Sequence, residues 1–554
     1  MSWTIVEKYR KMLSRESGTQ CKEWGGKLTV CLVYPNHYRT GMSNLGMQAV
    51  YALLNERADV VCERAFLPDA AEAGEYRKSR SKLMSLESQR PLLDFDLIAF
   101  SVSFENDYLN IPVIFELAGI PCYSRDRDSS MPLVMGGGAA LFLNPEPVAD
   151  FMDMVAIGEA EPILAPLIDL LTNDRGDNRN ELMCKAANLP GIYVPSFYAV
   201  DPLPGATPHP LTGNVPARIK RVFAIDLDRQ PTGSILLTPE TEFGDMYLIE
   251  LSRGCPHGCR FCAAGFIYLP YRQRSLTELE EQVRVGLREK KRIGLVGAAV
   301  ADHRDIGELC RTILDGGGKV SVSSLRLDSL DSGLIEMLEK SGHKSIAIAP
   351  EGGSQRLRDL IRKNISEEQI LAACDLLISH DILNIRLYFI IGLPTETDND
   401  LEELIALVNS IRERVVTAAK KNRRLGEVVL SVNPFVPKPF TPFQWCGMDM
   451  LAHIEKKAEK LRKAVGGMAN VRLQMESPRA AMLQAFLSRG DRTLAPFLVY
   501  SMRMGSWKRA AKAMGIDLEQ LTSRWLPLDE RLPWNIIDNG RDDILLREYK
   551  KAFP

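Results

Sequence analysis

Ten short apolar runs of strand length, separated mainly by segments with helical patterning, constrain this 554-residue chain more than any other feature. Four fall in the first 165 residues: LTVCLVYPN (28–36), FDLIAFSVSFEN (95–106), PLVMGGGAA (132–140) and MVAIGEAE (154–161). Each reads as a buried strand. Between them, residues 44–56 place Leu45, Val50, Leu53 and Leu54 at helical spacing, and residues 108–117 read the same way. This alternation predicts a parallel, doubly wound, Rossmann-like α/β sheet over residues 1–200. In such sheets ligands collect beyond the carboxyl ends of the strands. There the chain carries Pro35 and Asn36, residues 101–105, residues 136–138, and Gly158 with Glu159.

Residues 201–242 hold Pro202, Pro204, Pro208, Pro210, Pro216 and Pro231 and few apolar runs, which predicts a linker with an irregular hairpin. The alternation then resumes with runs at 246–252, 292–300, 319–327, 344–350, 382–392 and 427–435. Six βα units fit a partial (β/α)6 barrel over residues 243–447, with its active site at the strand C-termini. From about Met448 helical patterns dominate, for example at 453–465 and 495–504, so residues 448–554 are expected to form a mostly helical C-terminal extension.

Composition excludes some classes. With 45% hydrophobic and 25% charged residues the chain is neither disordered nor fibrous. No apolar window approaches the roughly 18 residues of a spanning helix, and the first residues lack a signal-peptide core, so a cytoplasmic location and no membrane partner are expected. Eleven cysteines, an odd number and mostly scattered, argue against a disulfide framework. The net charge of −2 conceals an asymmetry: residues 411–554 carry 26 Lys and Arg against 15 Asp and Glu. Lys420, Lys421, Arg423, Arg424, Lys456, Lys457, Lys460, Arg462 and Lys463 could meet a nucleic acid or simply form solvated faces.

The chemistry concentrates in CPHGCRFC, residues 255–262, directly after the first barrel strand. Three thiolates on one loop, Cys255, Cys259 and Cys262, can bind three irons of a [4Fe–4S] cluster and leave the fourth open to another ligand. The alternatives are a zinc site completed by His257, serving structure alone, and coincidental core cysteines.

At these residues the chain resembles the radical S-adenosylmethionine (SAM) superfamily, whose loop has the spacing C-x3-C-x-aromatic-C, with Phe261 at the aromatic position. The resemblance implies a [4Fe–4S] cluster and SAM as cofactors, cleavage of SAM to methionine and a 5′-deoxyadenosyl radical, oxygen sensitivity, and an electron donor such as flavodoxin or ferredoxin. It extends through residues 246–435. Glu351 and Gly352 look like part of the element that meets the SAM ribose or amino group; the bland alternative for Glu351 is an acid at a helix N-terminus. Arg326 could pair with the SAM carboxylate or form a surface salt bridge. Ile390 and Gly392 resemble the adenine-packing motif, with Tyr388 in place of its first glycine. Gly297, Ala298 and Ala299 stand where many relatives carry a Gly-Gly-Glu element, and no acid occurs before Asp302.

The wider layout is similar to the subclass with an N-terminal cobalamin-binding-like domain. Segments 41–46, 101–105, 132–138, 144–146, 435–445 and 489–491 carry that likeness, which covers most of the chain. The usual Asp-x-His-x-x-Gly motif is absent: His37 is preceded two residues back by Pro35. Two alternatives stand for this layer: cobalamin held without a histidine ligand, through Ser101, Gly136 and Gly137, or a fold relic whose pocket is filled by side chains. The function is expected to be either hydrogen abstraction or, with cobalamin, methyl transfer. The alternatives are an RNA-modifying radical enzyme, with Cys21, Cys31 and Cys62 as candidates for a second cluster, and a nucleic-acid-associated protein with a structural metal. Lys438, Gln444, Trp445 and Arg489 are weak candidates for substrate contacts.

Overall fold

The apolar run at residue 28 becomes β1 (Leu28–Tyr34), buried along its whole length as the second strand of a six-stranded sheet. The computed structural model describes residues 2–174, 178–201, 206–230, 232–322, 325–327 and 330–554. Pro202, Pro204 and Pro231 of the expected linker, and positions 323, 324, 328 and 329 flanking Arg326, lie outside the described residues.

The sheet adds β2 (Val60–Phe66), β3 (Leu97–Ser101), β4 (Leu133–Gly137), β5 (Met154–Ala156) and β6 (Ile192–Tyr193), in the order β2-β1-β3-β4-β5-β6. All pairs are parallel except β5 with β6. β2 is absent from the sequence reading because Glu63 and Arg64 break its apolar run. Both are nevertheless buried: Arg64 is held by Glu16 and Glu87, each at 2.6 Å, so the charge enters the core already neutralised. The direction of winding reverses between β1 and β3. That reversal opens a crevice at their carboxyl ends. Helices Leu45–Glu56, capped by the Asn44 side chain, and Ala160–Asn173 cover one face.

The second array comprises β7 (Met246–Glu250), β8 (Arg292–Val296), β9 (Lys319–Val322), β10 (Ser345–Glu351), β11 (Asn384–Ile391) and β12 (Glu427–Pro434), the six expected strands. A seventh, β13 (Val471–Met475), pairs with β12 and carries the sheet past residue 447, the expected end of the barrel. Its sequence, VRLQM, is half polar and edge-exposed, so no apolar run announces it. The paired neighbours are parallel, and just past β9 Leu325 bridges to Ile348 of β10, also parallel. Along β11, Ile385, Leu387, Phe389 and Ile391 are buried under the outer helices. Arg386, Tyr388 and Ile390 alternate onto the inner face, where Arg386 donates to Gln474 of β13 at 2.6 Å.

The expected linker is sewn into the molecule. Its hairpin pairs Tyr198–Ala199 with His209–Pro210, Val222 pairs with Gly158, and Ile219–Lys220 lies parallel to Ile537–Asp538. Helices Pro478–Arg489 and Leu494–Met504 return to the first layer, where Leu483, Phe486, Phe497 and Leu498 join the core that contains Tyr108 and Ile111. Among the described residues no helix is long and apolar enough to cross a membrane.

Candidate functional site

The cysteine loop leaves β7 through a two-rung antiparallel ladder, Ser252–Arg253 against Arg272–Gln273. Gly254 at φ +85° starts it. A Cβ there would also lie 2.7 Å from the Tyr268 carbonyl, so the turn requires glycine. The middle of the loop is fixed by Arg260, whose N–H donates to Ile361 O and whose carbonyl accepts from Phe443 N–H. Phe261 packs into a small apolar group with Leu357, Ile361, Leu393, Phe435 and Phe443. Phe261, expected to contact the cofactor, is partly buried in this group and so also anchors the loop.

Cys259 is buried, and Cys255 and Cys262 are half-buried beside it. Burial pushes the Cys255 thiol above its ordinary value and the Cys262 thiol up to about 11, with the neighbouring thiols adding to both. An iron that takes them must therefore displace protons. Nη1 of Arg326 lies 3.9 Å from Cys259 Sγ, and Nη2 donates to the Lys363 carbonyl at 3.1 Å. This guanidinium also opposes the upward shift at Cys255. Among the described residues no three Cys, His, Asp or Glu side chains close on one point as the ligands of a single ion do. His257 does not complete a zinc site, because its Nε2 meets Asp302 Oδ2 at 3.0 Å. Three thiols on one loop are the donor type that iron–sulfur clusters take, so the donor set fits that group.

Facing the loop, Glu351 ends β10 in the left-handed region at φ +65°, a strained setting for a residue with a Cβ. Its carboxylate lies 3.5 Å from Lys363, and burial raises its pKa against the pull of that lysine. Gly352 sits tightly packed: a Cβ there would come within 2.9 Å of the Arg358 nitrogen. Ser354 bonds Asp400, which holds the turn in place. Ile390 packs with the Phe261 group, and Gly392 at φ +73° donates its N–H to Glu396 at 2.6 Å. Arg326, Glu351 and the cysteines thus meet at one mouth, with Ile390 and Gly392 as its wall. Lys363 joins them and was missed: it lies on a turn after a short helix, where no periodicity marks it.

A cavity of about 740 Å³ lies between the two strand arrays. It begins between the first sheet and helix Leu45–Glu56, passes Ser101, Ser103, Gly137 and Gly138, and continues to Glu250, Ser252, Gly297 and Ser321 of the barrel. Gly254 and Ala264, which flank the outer cysteines, touch it. Of the three expected cobalamin contacts, Ser101 and Gly137 line this space. Gly136 does not: it faces the other side of β4, where a Cβ would meet Leu141 at 2.6 Å. Glu159 is occupied by protein, its carboxylate accepting from Arg253 at 3.0 Å and Arg272 at 2.6 Å. His37 turns away, its Nδ1 lying 3.1 Å from the Leu67 carbonyl, and it lines a separate cavity under the N-terminal helix.

The expected substrate contacts are structural. Lys438 pairs with Glu105 at 2.6 Å; Gln444 accepts from Trp534 and from Phe440 N–H; Trp445 is buried against Tyr549; and Arg489 donates to the carbonyls of Cys446, Thr522 and Arg524. Much of the basic stretch is likewise paired locally, Lys457 with Glu396 and Asp449, Lys460 with Glu402 and Arg424 with Asp381. Cys31 and Cys62 are buried within β1 and β2, whereas Cys21 is exposed.

Residues 249–408 match the radical SAM superfamily, and residues 46–195 match the N-terminal region of radical SAM proteins. An uncharacterized protein of Methanocaldococcus jannaschii is 31% identical over 495 residues, which is 87% of this chain and 93% of that protein. The anaerobic magnesium-protoporphyrin IX monomethyl ester cyclase of Rubrivivax gelatinosus is 25% identical over 306 residues, 53% of this chain and about half (51%) of the cyclase. The cobalamin-dependent S-adenosylmethionine radical enzyme OxsB, solved with aqua-cobalamin and S-adenosylmethionine, aligns with a TM-score of 0.49 and 14% identity over 95% of this chain and 79% of its own. With the cysteine loop seated at the mouth of a parallel half-barrel and both halves of the sequence matched, this chain belongs to the radical SAM superfamily, among the members that carry the N-terminal radical SAM domain.

Proposed function

We propose that the chain is an enzyme that binds a [4Fe–4S] cluster at Cys255, Cys259 and Cys262, SAM at the barrel mouth and a corrinoid in the cavity between the arrays, and that it methylates an unreactive carbon. The observation that supports the corrinoid is the cavity itself. It is of cofactor size and mostly apolar, and it runs from the strand ends of the first sheet to the flanks of the cysteine loop. When bound, the cluster delivers the electron that cleaves SAM, and the corrinoid serves as methyl carrier.

The chain's own residues prepare each place. Arg326 sets a positive charge against Cys259. Glu351, held over the mouth by its turn, accepts from hydroxyl or ammonium donors. Ile390 and Leu393 shape an apolar wall that keeps water from the mouth. On the cavity side Leu32, Ala99, Met135 and Leu164 supply an apolar lining, and Ser101 and Ser103 supply hydrogen bonds at its rim. No histidine is among the described residues of that lining, so the metal of a corrinoid has no imidazole to meet there.

The test is anaerobic reconstitution with iron and sulfide, followed by equilibrium dialysis against SAM and hydroxocobalamin. About four irons and one corrinoid per chain are expected. SAM cleavage without corrinoid uptake would replace methyl transfer with hydrogen abstraction. Protein without iron would remove the radical reading.

A further inference from the structure

Within the cavity one polar side chain has nothing to bond. Ser252 opens the two-rung ladder that follows β7, three residues before Cys255, is 4% exposed, and has no hydrogen-bond partner for its Oγ among the described residues. Its polar neighbours are engaged elsewhere. The Thr232 hydroxyl accepts from Arg274 at 2.9 Å, and the Glu250 carboxylate accepts from Arg253 and Arg274. Gly297 lies directly beside the hydroxyl: a Cβ on that glycine would sit 3.0 Å from Ser252 Oγ, so any larger residue would crowd it. Both residues line the cavity. A buried hydroxyl without a partner is unfavourable unless something supplies the missing bond.

We infer that Ser252 is a SAM-binding residue whose hydroxyl bonds the amino-acid end of SAM, with Gly297 keeping the approach open. This rests on the reading that SAM binds at the cysteine loop. A ligand whose amino and carboxylate groups reach the open iron brings charged hydrogen-bonding groups next to Cys255, and Ser252 is an unpartnered group in the ladder that delivers that cysteine. A hydroxyl can accept from an ammonium or donate to a carboxylate, so either group of that end satisfies it.

The test compares wild type, Ser252→Ala and Gly297→Ala after anaerobic reconstitution, with iron content measured in each. The probes are SAM, 5′-methylthioadenosine, which lacks the amino-acid end, and hydroxocobalamin. Ser252→Ala is expected to weaken SAM binding about tenfold or more while leaving the other two unchanged. Gly297→Ala should weaken SAM binding in the same direction by crowding the hydroxyl. Thermal melting gives a second readout with a distinctive sign. Without ligand, Ser252→Ala should melt above wild type because an unsatisfied group is gone, yet SAM should raise its melting temperature less.

Equal SAM affinity in wild type and Ser252→Ala would overturn the inference. So would equal losses for SAM and 5′-methylthioadenosine, which indicate a structural role, and so would a loss confined to hydroxocobalamin. Wild-type protein that carries iron but binds no SAM would overturn the underlying reading as well, a result distinct from these.

Discussion

The two strand arrays present their carboxyl ends to the same interior but equip them differently. The first sheet ends in uncharged groups, Ser101, Ser103, Gly137 and Gly138, above an apolar cavity. The barrel ends in charges set in pairs, Glu351 with Lys363, His257 with Asp302 and Arg356 with Asp400. Neutral, small-residue ends suit a large flat ligand held by shape and backbone contacts. Paired charges suit a ligand with ammonium and carboxylate groups, because each partner can be drawn toward it. The division of labour lies in the side chains, since both arrays are parallel sheets of similar construction.

The strongest way to break the comparison is to replace Cys255, Cys259 and Cys262 together by Ala. Iron content and SAM cleavage should vanish while circular dichroism stays native and the hydroxocobalamin spectrum still shifts on binding. If corrinoid uptake vanished too, the two ends would not be separate sites.

A smaller but still large effect is expected at the seam. Glu159→Ala removes the carboxylate shared by Arg253 and Arg272; Arg253 keeps Glu250 and Glu161, but Arg272 is left with carbonyl partners, so denaturant unfolding should show a loss of about 3 kcal/mol.

Asp400 tests the charged end by pH. Burial would raise its pKa, but hydrogen bonds from Arg356, Ser354 and Thr397 outweigh that and hold it at about 2. A depressed folded value means the stabilisation is complete above the ordinary value near 4 and is lost as pH falls from there toward 2. It amounts to about 2 kcal/mol, and Asp400→Asn should flatten the stability profile across that window. The smallest effect tests the neutral end. Ala49→Trp, from the cavity lining, should weaken hydroxocobalamin binding about tenfold and leave SAM cleavage unaltered, as read from 5′-deoxyadenosine released.

Legibility in the sequence followed the same division. The cysteine loop, Arg326 and Glu351 were readable because their chemistry needs particular residue types at fixed local spacing. Ser101 and Gly137 were readable because small residues follow predicted strands. Gly136 misled for a geometric reason: adjacent residues of a strand face opposite sides, and only Gly137 faces the cavity. β2 and β13 were illegible because a buried ion pair and an exposed edge both erase the apolar pattern. Lys438, Gln444, Trp445 and Arg489 stood out as polar or aromatic residues in loops, but their partners are distant in sequence, for example Glu105 for Lys438. Ser252 carried no signal at all, because a missing hydrogen bond exists only in three dimensions.

The cysteine loop leans on the far end of the chain. Arg260 reaches Glu548 of the helix Asp542–Ala552 at 3.4 Å, across 288 positions of sequence, and Phe553 of the same tail packs on Phe443. During synthesis the thiols therefore leave the ribosome long before the helix that steadies their loop exists. The loop that carries the three cysteines therefore gains its frame only once the helix Asp542–Ala552 has been made and has docked, so contacts formed last in synthesis steady residues made near its midpoint.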